Sequence, residues 1–268
     1  MPAPQPFPLV AVDVGNSRVK LGLFSSESGK SFPQPDRTLA LGPDWTTEQI
    51  REWLGPVPAG VRWLISSVHR AAGARIVEGA RAGGGDARLL SRGDLHLKIL
   101  AEHPETVGMD RLVNAVAANR LRSPDQPAIV VDVGSAIKVD LVSREGAFLG
   151  GAIFPGIGMS ARALDEFTDL LPLVPVTELA EPPEPLGTST IPAIRSGLFW
   201  GAVGGIRELV GRLQLDHPAA QVFLAGGAAP SVAELILDRN GKPARHVPHL
   251  TLGGIALSAT VLGATAGG

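Results

Sequence analysis

The 268-residue chain has no cysteine and no tyrosine. The lack of cysteine excludes disulfides, thiolate metal sites and cysteine nucleophiles, and leaves the compartment open. With six histidines there is little material for a His-rich metal centre. An excess of one charge is also missing. The formal net charge is −2, so no broad nucleic-acid-binding surface is expected. Neither GxxxxGK[ST] nor a GxGxxG after a strand occurs, which removes the main support for P-loop and Rossmann readings. Residues 1–8 (MPAPQPFP) lack the basic start and apolar core of a secretory leader and read as a proline-rich tail. Residues 250–268 carry no charge, but their Gly, Ala, Ser and Thr make them weakly apolar. Leu250, Leu252, Ile255 and Leu257 suit a packed terminal helix rather than a membrane span. A cytoplasmic protein without membrane contact is expected.

What is present is ordinary for a folded protein: 44% hydrophobic and 19% charged residues. The length allows one large domain or two small ones. The 33 glycines and 23 prolines imply many tight turns. Leu9 to Asp13 reads as an apolar strand that turns through Gly15-Asn16-Ser17 into Val19 to Phe24. The same unit returns at Ala128: Asp13-Val14-Gly15-Asn16-Ser17 aligns with Asp132-Val133-Gly134-Ser135-Ala136. A duplicated architecture is therefore expected, with residues 1–123 as an N-terminal lobe and 124–268 as a C-terminal lobe. Further expected elements are strands at Trp63–Val68, Arg88–Leu90, Ala147–Ile153 and Gln221–Ala225. Helices are expected at Met109–Leu121, Ser160–Leu170, Ile191–Leu213 and Ser231–Leu237, with a proline-rich acidic loop over Pro172–Pro185. Strands followed by helices, twice over, predict an α/β fold of two similar lobes with a ligand cleft between them.

Several segments carry chemistry. A strand ending in Asp-x-Gly and a small hydroxylic residue lets backbone amides approach a phosphate, while the carboxylate can hold a cation. A plain hairpin turn is the alternative, and two copies at equivalent places favour the phosphate reading. Gly226-Gly227 closes another strand and would let adenine or ribose lie against backbone. Gly108-Met109-Asp110-Arg111 opens a helix, where Asp can take a hydroxyl proton and Arg can bind an anion with its planar fork. Helix capping by Asp110 with an exposed Arg111 is the alternative. Gly150-Gly151 through Gly156 marks a strand edge that comes close to something, as a bulge or as close packing.

Taken together, these segments resemble the type III pantothenate kinase family, within the superfamily of actin, sugar kinases and acetate kinase. Asp13-Val14-Gly15-Asn16-Ser17-Arg18-Val19-Lys20 is similar to the family's D-x-G-N-T-x-x-K. Pro104 to Arg111 is similar to P-x-x-x-G-x-D-R, and Asp132 to Ala136 resembles D-x-G-T-A. Gly150–Gly156, Thr168–Pro172 and Gly187–Gly197 fall where the family has G-G-x-I-x-P-G, T-x-x-L-P and G-x-N-T-x-x-A-x-x-S-G. The resemblance implies an actin-like ATPase fold of two ribonuclease H-like lobes. It implies transfer of phosphate from ATP to pantothenate, the first step of coenzyme A synthesis, by a homodimer. Carried over, Asp110 would be the general base. Gly108, Met109 and Arg111 would bind substrate, joined by Thr190 from the neighbouring subunit. Asp13, Val14, Gly15, Asn16, Ser17, Arg18, Val19, Lys20 and Ser135 would contact ATP, which brings magnesium. Asp132 would hold a monovalent cation such as potassium or ammonium.

The chain departs from the family pattern in places. Ser17 and Ser135 replace Thr and keep a hydroxyl. Ser189 stands for Asn, and Ala101 stands where many members have a substrate-contacting Tyr. Lys138 stands where Thr is usual. Lys20 comes seven residues after Asp13 and Lys138 six after Asp132, so period-two alternation predicts that the two lysines face opposite sides. A kinase of another small hydroxyl substrate and a regulatory protein on the same scaffold remain alternatives to the pantothenate reading.

Overall fold

The computed structural model describes residues 7–25, 32–56, 60–175 and 181–265. The start of the proline-rich tail (1–6), part of the expected acidic loop (176–180) and the last residues (266–268) lie outside the described residues. The chain divides into two compact units, residues 1–121 with 249–268, and residues 122–248.

In the first unit the expected hairpin is formed by β1 (Leu9–Val14) and β2 (Val19–Phe24). β3 (Arg37–Leu41) continues it antiparallel, whereas β4 (Arg62–Ser67) and β5 (Asp86–Leu89) run parallel to β1 in the order β3-β2-β1-β4-β5. Every residue of β1 is buried, as an apolar run covered on both faces requires. Val10, Val12 and Val14 pack with Ile50 and Leu54 of α1 (Thr47–Leu54) and with Ile76, Val77 and Ala80 of α2 (Arg70–Ala82). By alternation Leu9, Ala11 and Asp13 point to the other face, which α3 (Met109–Leu121) and α7 (Leu250–Thr265) help to cover.

The second unit repeats the plan. β6 (Ala128–Val133), β7 (Ala136–Val142) and β8 (Phe148–Pro155) form an antiparallel meander, and β9 (Gln221–Ala225) and β10 (Arg245–His246) extend it in parallel, in the order β10-β9-β6-β7-β8. Ile129, Val131, Val133, Ile137, Val139 and Leu141 form a core with α4 (Ile157–Glu166) and the long α5 (Thr190–Asp216). A side chain at Gly151 would lie 2.1 Å from the Val139 carbonyl oxygen, so the glycine is needed for close strand pairing. A register irregularity follows at Leu141/Val142, so bulge and close packing both occur here.

The structure corrects several expectations. The terminal helix belongs to the first unit, not to a lobe of residues 124–268. Its Gly254 crosses α3 so closely that a Cβ would lie 2.1 Å from the Val113 carbonyl oxygen, and Thr251 donates to the Asn114 side chain at 2.8 Å. The helix expected at Ser231–Leu237 is a short α6 (Ala229–Val232) and a 3-10 turn at Ala233–Leu235. α4 lies a few residues before the expected Ser160–Leu170, starting directly after Gly156. β3 and α1 were not expected. α1 did carry a readable signal, because Thr46 and Gln49 form a reciprocal capping box.

Candidate active site

The first unit gathers its chemical residues at the carboxyl ends of β1 and β4, where α/β sheets present ligand sites. Asp13 and Lys20 are direct partners in the β1–β2 register, and Asp13 is 9% exposed. The turn closes with the Gly15 amide donating to the Arg18 carbonyl at 3.0 Å, leaving Asn16 and Arg18 exposed. The Val68 amide, just beyond β4, donates to the Val14 carbonyl at 3.0 Å. Gly108 lies against the same Val68: a Cβ there would be 3.5 Å from Val68 Cγ1 and 2.6 Å from Asp110 Oδ1. Glycine at 108 thus leaves room for the Asp110 carboxylate to fold back over its helix start. Asp110 Oδ1 accepts from the Arg111 amide at 2.9 Å. Asp110 is thus an acidic residue in the first turn of α3 that accepts from a helix-start amide, which is compatible with base chemistry because a carboxylate carries two acceptor oxygens. Asp110 and Arg111 are both half-buried, so Arg111 is not the exposed arginine of the capping alternative.

The segment leading to Asp110 is held by a residue that sequence reasoning missed. Arg92 donates from Nε to the Pro104 carbonyl (2.8 Å) and from Nη2 to the carbonyls of Glu105 (2.5 Å) and Val107 (2.8 Å). Arg92 sits in a 3-10 turn (Arg92–Leu95) locked by Asp94, which accepts from the Ser91 amide and hydroxyl and from Arg88. Burial raises the Asp94 pKa, but these hydrogen bonds and the Arg88 guanidinium outweigh it and hold the carboxyl below its ordinary value. The turn is thus a fixed anchor at neutral pH. Arg92→Met is expected to loosen the Pro104–Val107 backbone and lower kcat with the fold retained, since about 1 Å of misplacement can cost up to ~10²-fold. Steady-state kinetics beside a melting curve checks it: an unchanged kcat would remove Arg92 from positioning. No local motif marks Arg92, because its partners are backbone carbonyls more than ten residues away in sequence.

In the second unit three glycine segments meet at the end of β6. The Gly134 amide donates to the Ala136 carbonyl at 3.2 Å, closing a turn with exposed Ser135 at its tip. The Gly156 amide donates to the Ser135 carbonyl at 3.0 Å, and a Cβ on Gly156 would lie 2.2 Å from the Gly134 oxygen. Gly226 has φ +103° and comes within a would-be Cβ distance of 2.4 Å of the Val133 oxygen. Backbone thus replaces side chain around the second Asp-x-Gly turn, as a site for a flat or anionic ligand requires.

The lysine expectation is overturned. Lys138 is the direct partner of Asp132, just as Lys20 is of Asp13. The first turn has two residues (Asn16, Ser17) inside its Gly15–Arg18 closure, whereas the second has one (Ser135) inside Gly134–Ala136. The shorter turn absorbs the missing residue and restores the register. Directly opposed residues of an antiparallel pair share a face. Lys138 Nζ lies 2.9 Å from Asp132 Oδ2.

Thr190 opens α5 and is exposed at its start. It lines one part of a groove of about 690 Å³ whose other walls are apolar apart from Ser160, and include Phe154, Leu164, Leu171, Ala193 and Gly201. The inner face of α5 is used within its own unit, through Phe199, Val203, Ile206 and Val210. Positions Gly201 and Gly204 have open space where a Cβ would be, while Gly205 packs on Phe154.

Known proteins bear on this arrangement at two levels. A solved protein described as a Baf-family transcriptional activator from Campylobacter jejuni matches with a TM-score of 0.55 and 18% identity, covering 94% of this chain and 97% of that one. A protein from Sinorhizobium meliloti described as a 2-dehydro-3-deoxygalactonokinase also gives 0.55, at 16% identity over 95% and 99% of the two chains. These likenesses show the fold, that of the actin-like ATPases and sugar kinases. At the sequence level, the type III pantothenate kinase family matches residues 9–212, and the chain belongs to that family. Among relatives with that name, the one from Parafrankia is 33% identical over 93% of this chain and 96% of its own length, and that from Dehalococcoides mccartyi 32% over 84% and 88%. The one from Paramagnetospirillum magneticum is 45% identical over 142 residues, 53% of each chain.

Proposed function

We propose that the protein transfers the γ-phosphoryl group of ATP to the primary hydroxyl of pantothenate, giving 4'-phosphopantothenate and ADP, the entry step of coenzyme A biosynthesis. The family membership carries this reading. The placing of Asp110 beside the end of β1 and β4, where the Asp13 turn also lies, supports it. Phosphoryl transfer needs positioning and charge neutralisation more than covalent help. Asp110 takes the hydroxyl proton as the pantothenate oxygen bonds to the γ-phosphorus and the bond to the bridging oxygen breaks. Arg111, with Gly108 and Met109, orients the acceptor. The turn of residues 13–20 and Ser135 would contact the nucleotide through backbone and hydroxyl groups, and Asp13 would hold the magnesium that enters with ATP. The cytoplasm is the proposed compartment, and among the described residues no helix is long and apolar enough to cross a membrane.

The working form in this reading is a homodimer, with Thr190 serving the neighbouring subunit's acceptor. The apolar groove beside Thr190 and the exposure of Phe167 (79%) and Leu170 (85%) next to α4 support a second copy seated there. Sedimentation is expected to show a dimer at assay concentration; a fully active monomer would reject the shared site.

The deciding experiment is ADP formation with and without pantothenate, with the product identified by mass. Pantothenate-dependent turnover is expected. ATP binding without turnover would favour a regulatory protein, and turnover with another small alcohol would favour an altered acceptor site at Ala101.

A further inference from the structure

The second Asp-x-Gly turn differs from the first in what its carboxylate already holds. Asp132 is 9% exposed, and its Oδ2 accepts from Lys138 Nζ at 2.9 Å. The lysine is no surface arm: its side chain is 17% exposed and that of Asp132 12%. Asp140 follows two residues along β7 on the same face, is 3% exposed, and is given room by Gly151, where a Cβ would meet Asp140 Oδ1 at 2.5 Å. Lys138 therefore stands on the strand face between two buried carboxylates, turned away from the α5 core. The register, not a chance rotamer, puts it there, because Asp132 and Lys138 are direct partners.

Family resemblance assigns Asp132 to a monovalent metal ion or free ammonium. The donor set of this chain does not fit one. Such an ion exchanges its hydration shell for several oxygen ligands. Here one oxygen of Asp132 is committed to an ammonium group, and a second cation at the same carboxylate would be repelled by it. Among the described residues no group of three or more His, Asp or Glu could hold a metal. An ammonium on a short tether supplies the same unit charge with three N–H donors.

We propose that Lys138 is the built-in cation of the second turn. Its ammonium neutralises Asp132 and faces the nucleotide phosphates at Gly134–Ser135, so the protein needs no added monovalent cation. This rests on the nucleotide reading of the second turn proposed above.

The test compares wild type, Lys138→Thr and Lys138→Arg in potassium chloride and in choline chloride at equal ionic strength. Calorimetric ATP affinity is read alongside pantothenate-dependent rate and melting temperature. Wild type and Lys138→Arg are expected to bind ATP equally in both salts. Lys138→Thr is expected to lose at least about tenfold in choline, as removal of a charge-assisted contact does, and to recover saturably with potassium or ammonium. A merely structural lysine would show no cation-specific rescue. Wild type that needs potassium, or a Lys138→Thr that matches wild type in both salts, overturns the proposal. If Lys138→Thr does not fold, the wild-type and Lys138→Arg comparison decides alone, since a potassium requirement in either sinks the idea. ATP binding without pantothenate turnover would reject the pantothenate assignment and leave the cation comparison intact. No ATP binding in either salt would reject the nucleotide reading of the turn and this proposal with it.

Discussion

Asp110→Asn is expected to lower pantothenate-dependent ADP formation by about 10²–10⁴-fold, the usual cost of losing a positioned general base. The carboxamide keeps the shape of the side chain. Its oxygen can still accept from the Arg111 amide as Asp110 Oδ1 does, so the start of α3 is preserved. What it loses is the ability to take the hydroxyl proton. ATP affinity is expected to hold, since the Asp13 turn is untouched. Turnover within about threefold of wild type would remove Asp110 from that role, because a base supplies far more than that. A parallel fall in melting temperature would point instead to the charge of Asp110 at the helix start, which is worth about 0.3–1 kcal/mol.

Gly156→Ala is expected to cost on the order of 10²-fold in kcat/KM for ATP, the scale of a displacement of about 1 Å at a reacting group. The added methyl would lie 2.2 Å from the Gly134 oxygen and 2.6 Å from the Ser135 oxygen. Both atoms are backbone of the second turn, so no side-chain rotation relieves the clash, and the turn or the start of α4 must move. Gly211→Ala is the control. It lies on an exposed turn of α5 with nothing near a new Cβ, so it is expected to leave the rate unchanged and to stabilise by about 0.5–1 kcal/mol. A Gly156→Ala protein with wild-type ATP kinetics would show that the Gly134–Ser135 turn does not contact the nucleotide.

Much was legible in the chain because it rests on local physics. The apolar runs at Leu9–Val14 and Ala128–Val133, each ending in Asp-Val-Gly, specify buried strands and sharp turns in either copy. Pro192 in a first turn and an apolar stripe define α5 from its own residues. The helix start at Met109 follows from the glycine before it and the acidic Asp110 in its first turn. Even α1 was written locally, in Thr46 and Gln49. The motif positions of the candidate site are of this kind, since each lies within a few residues of a glycine that the backbone needs.

Other features depended on which segments meet. The terminal helix is uncharged and must be buried, but its sequence does not say against which sheet. Gly253 and Gly254 choose it, by admitting Phe32 and the α3 backbone at distances that another residue would forbid. Arg92 became a positioning residue only when the chain folded its guanidinium onto three distant carbonyls. Lys138 shows the limit most plainly. Counting residues from Asp132 places it on the wrong face, because period-two alternation holds within a strand and not through a turn. The two hairpins differ by one residue at the tip, and the ladder hydrogen bonds restore the pairing. The sequence by itself thus determined the strands, the turns and the residue types of the site. The tertiary structure alone decided the register across the turns and the partner of each buried group, since both depend on contacts between segments rather than on the residues beside them.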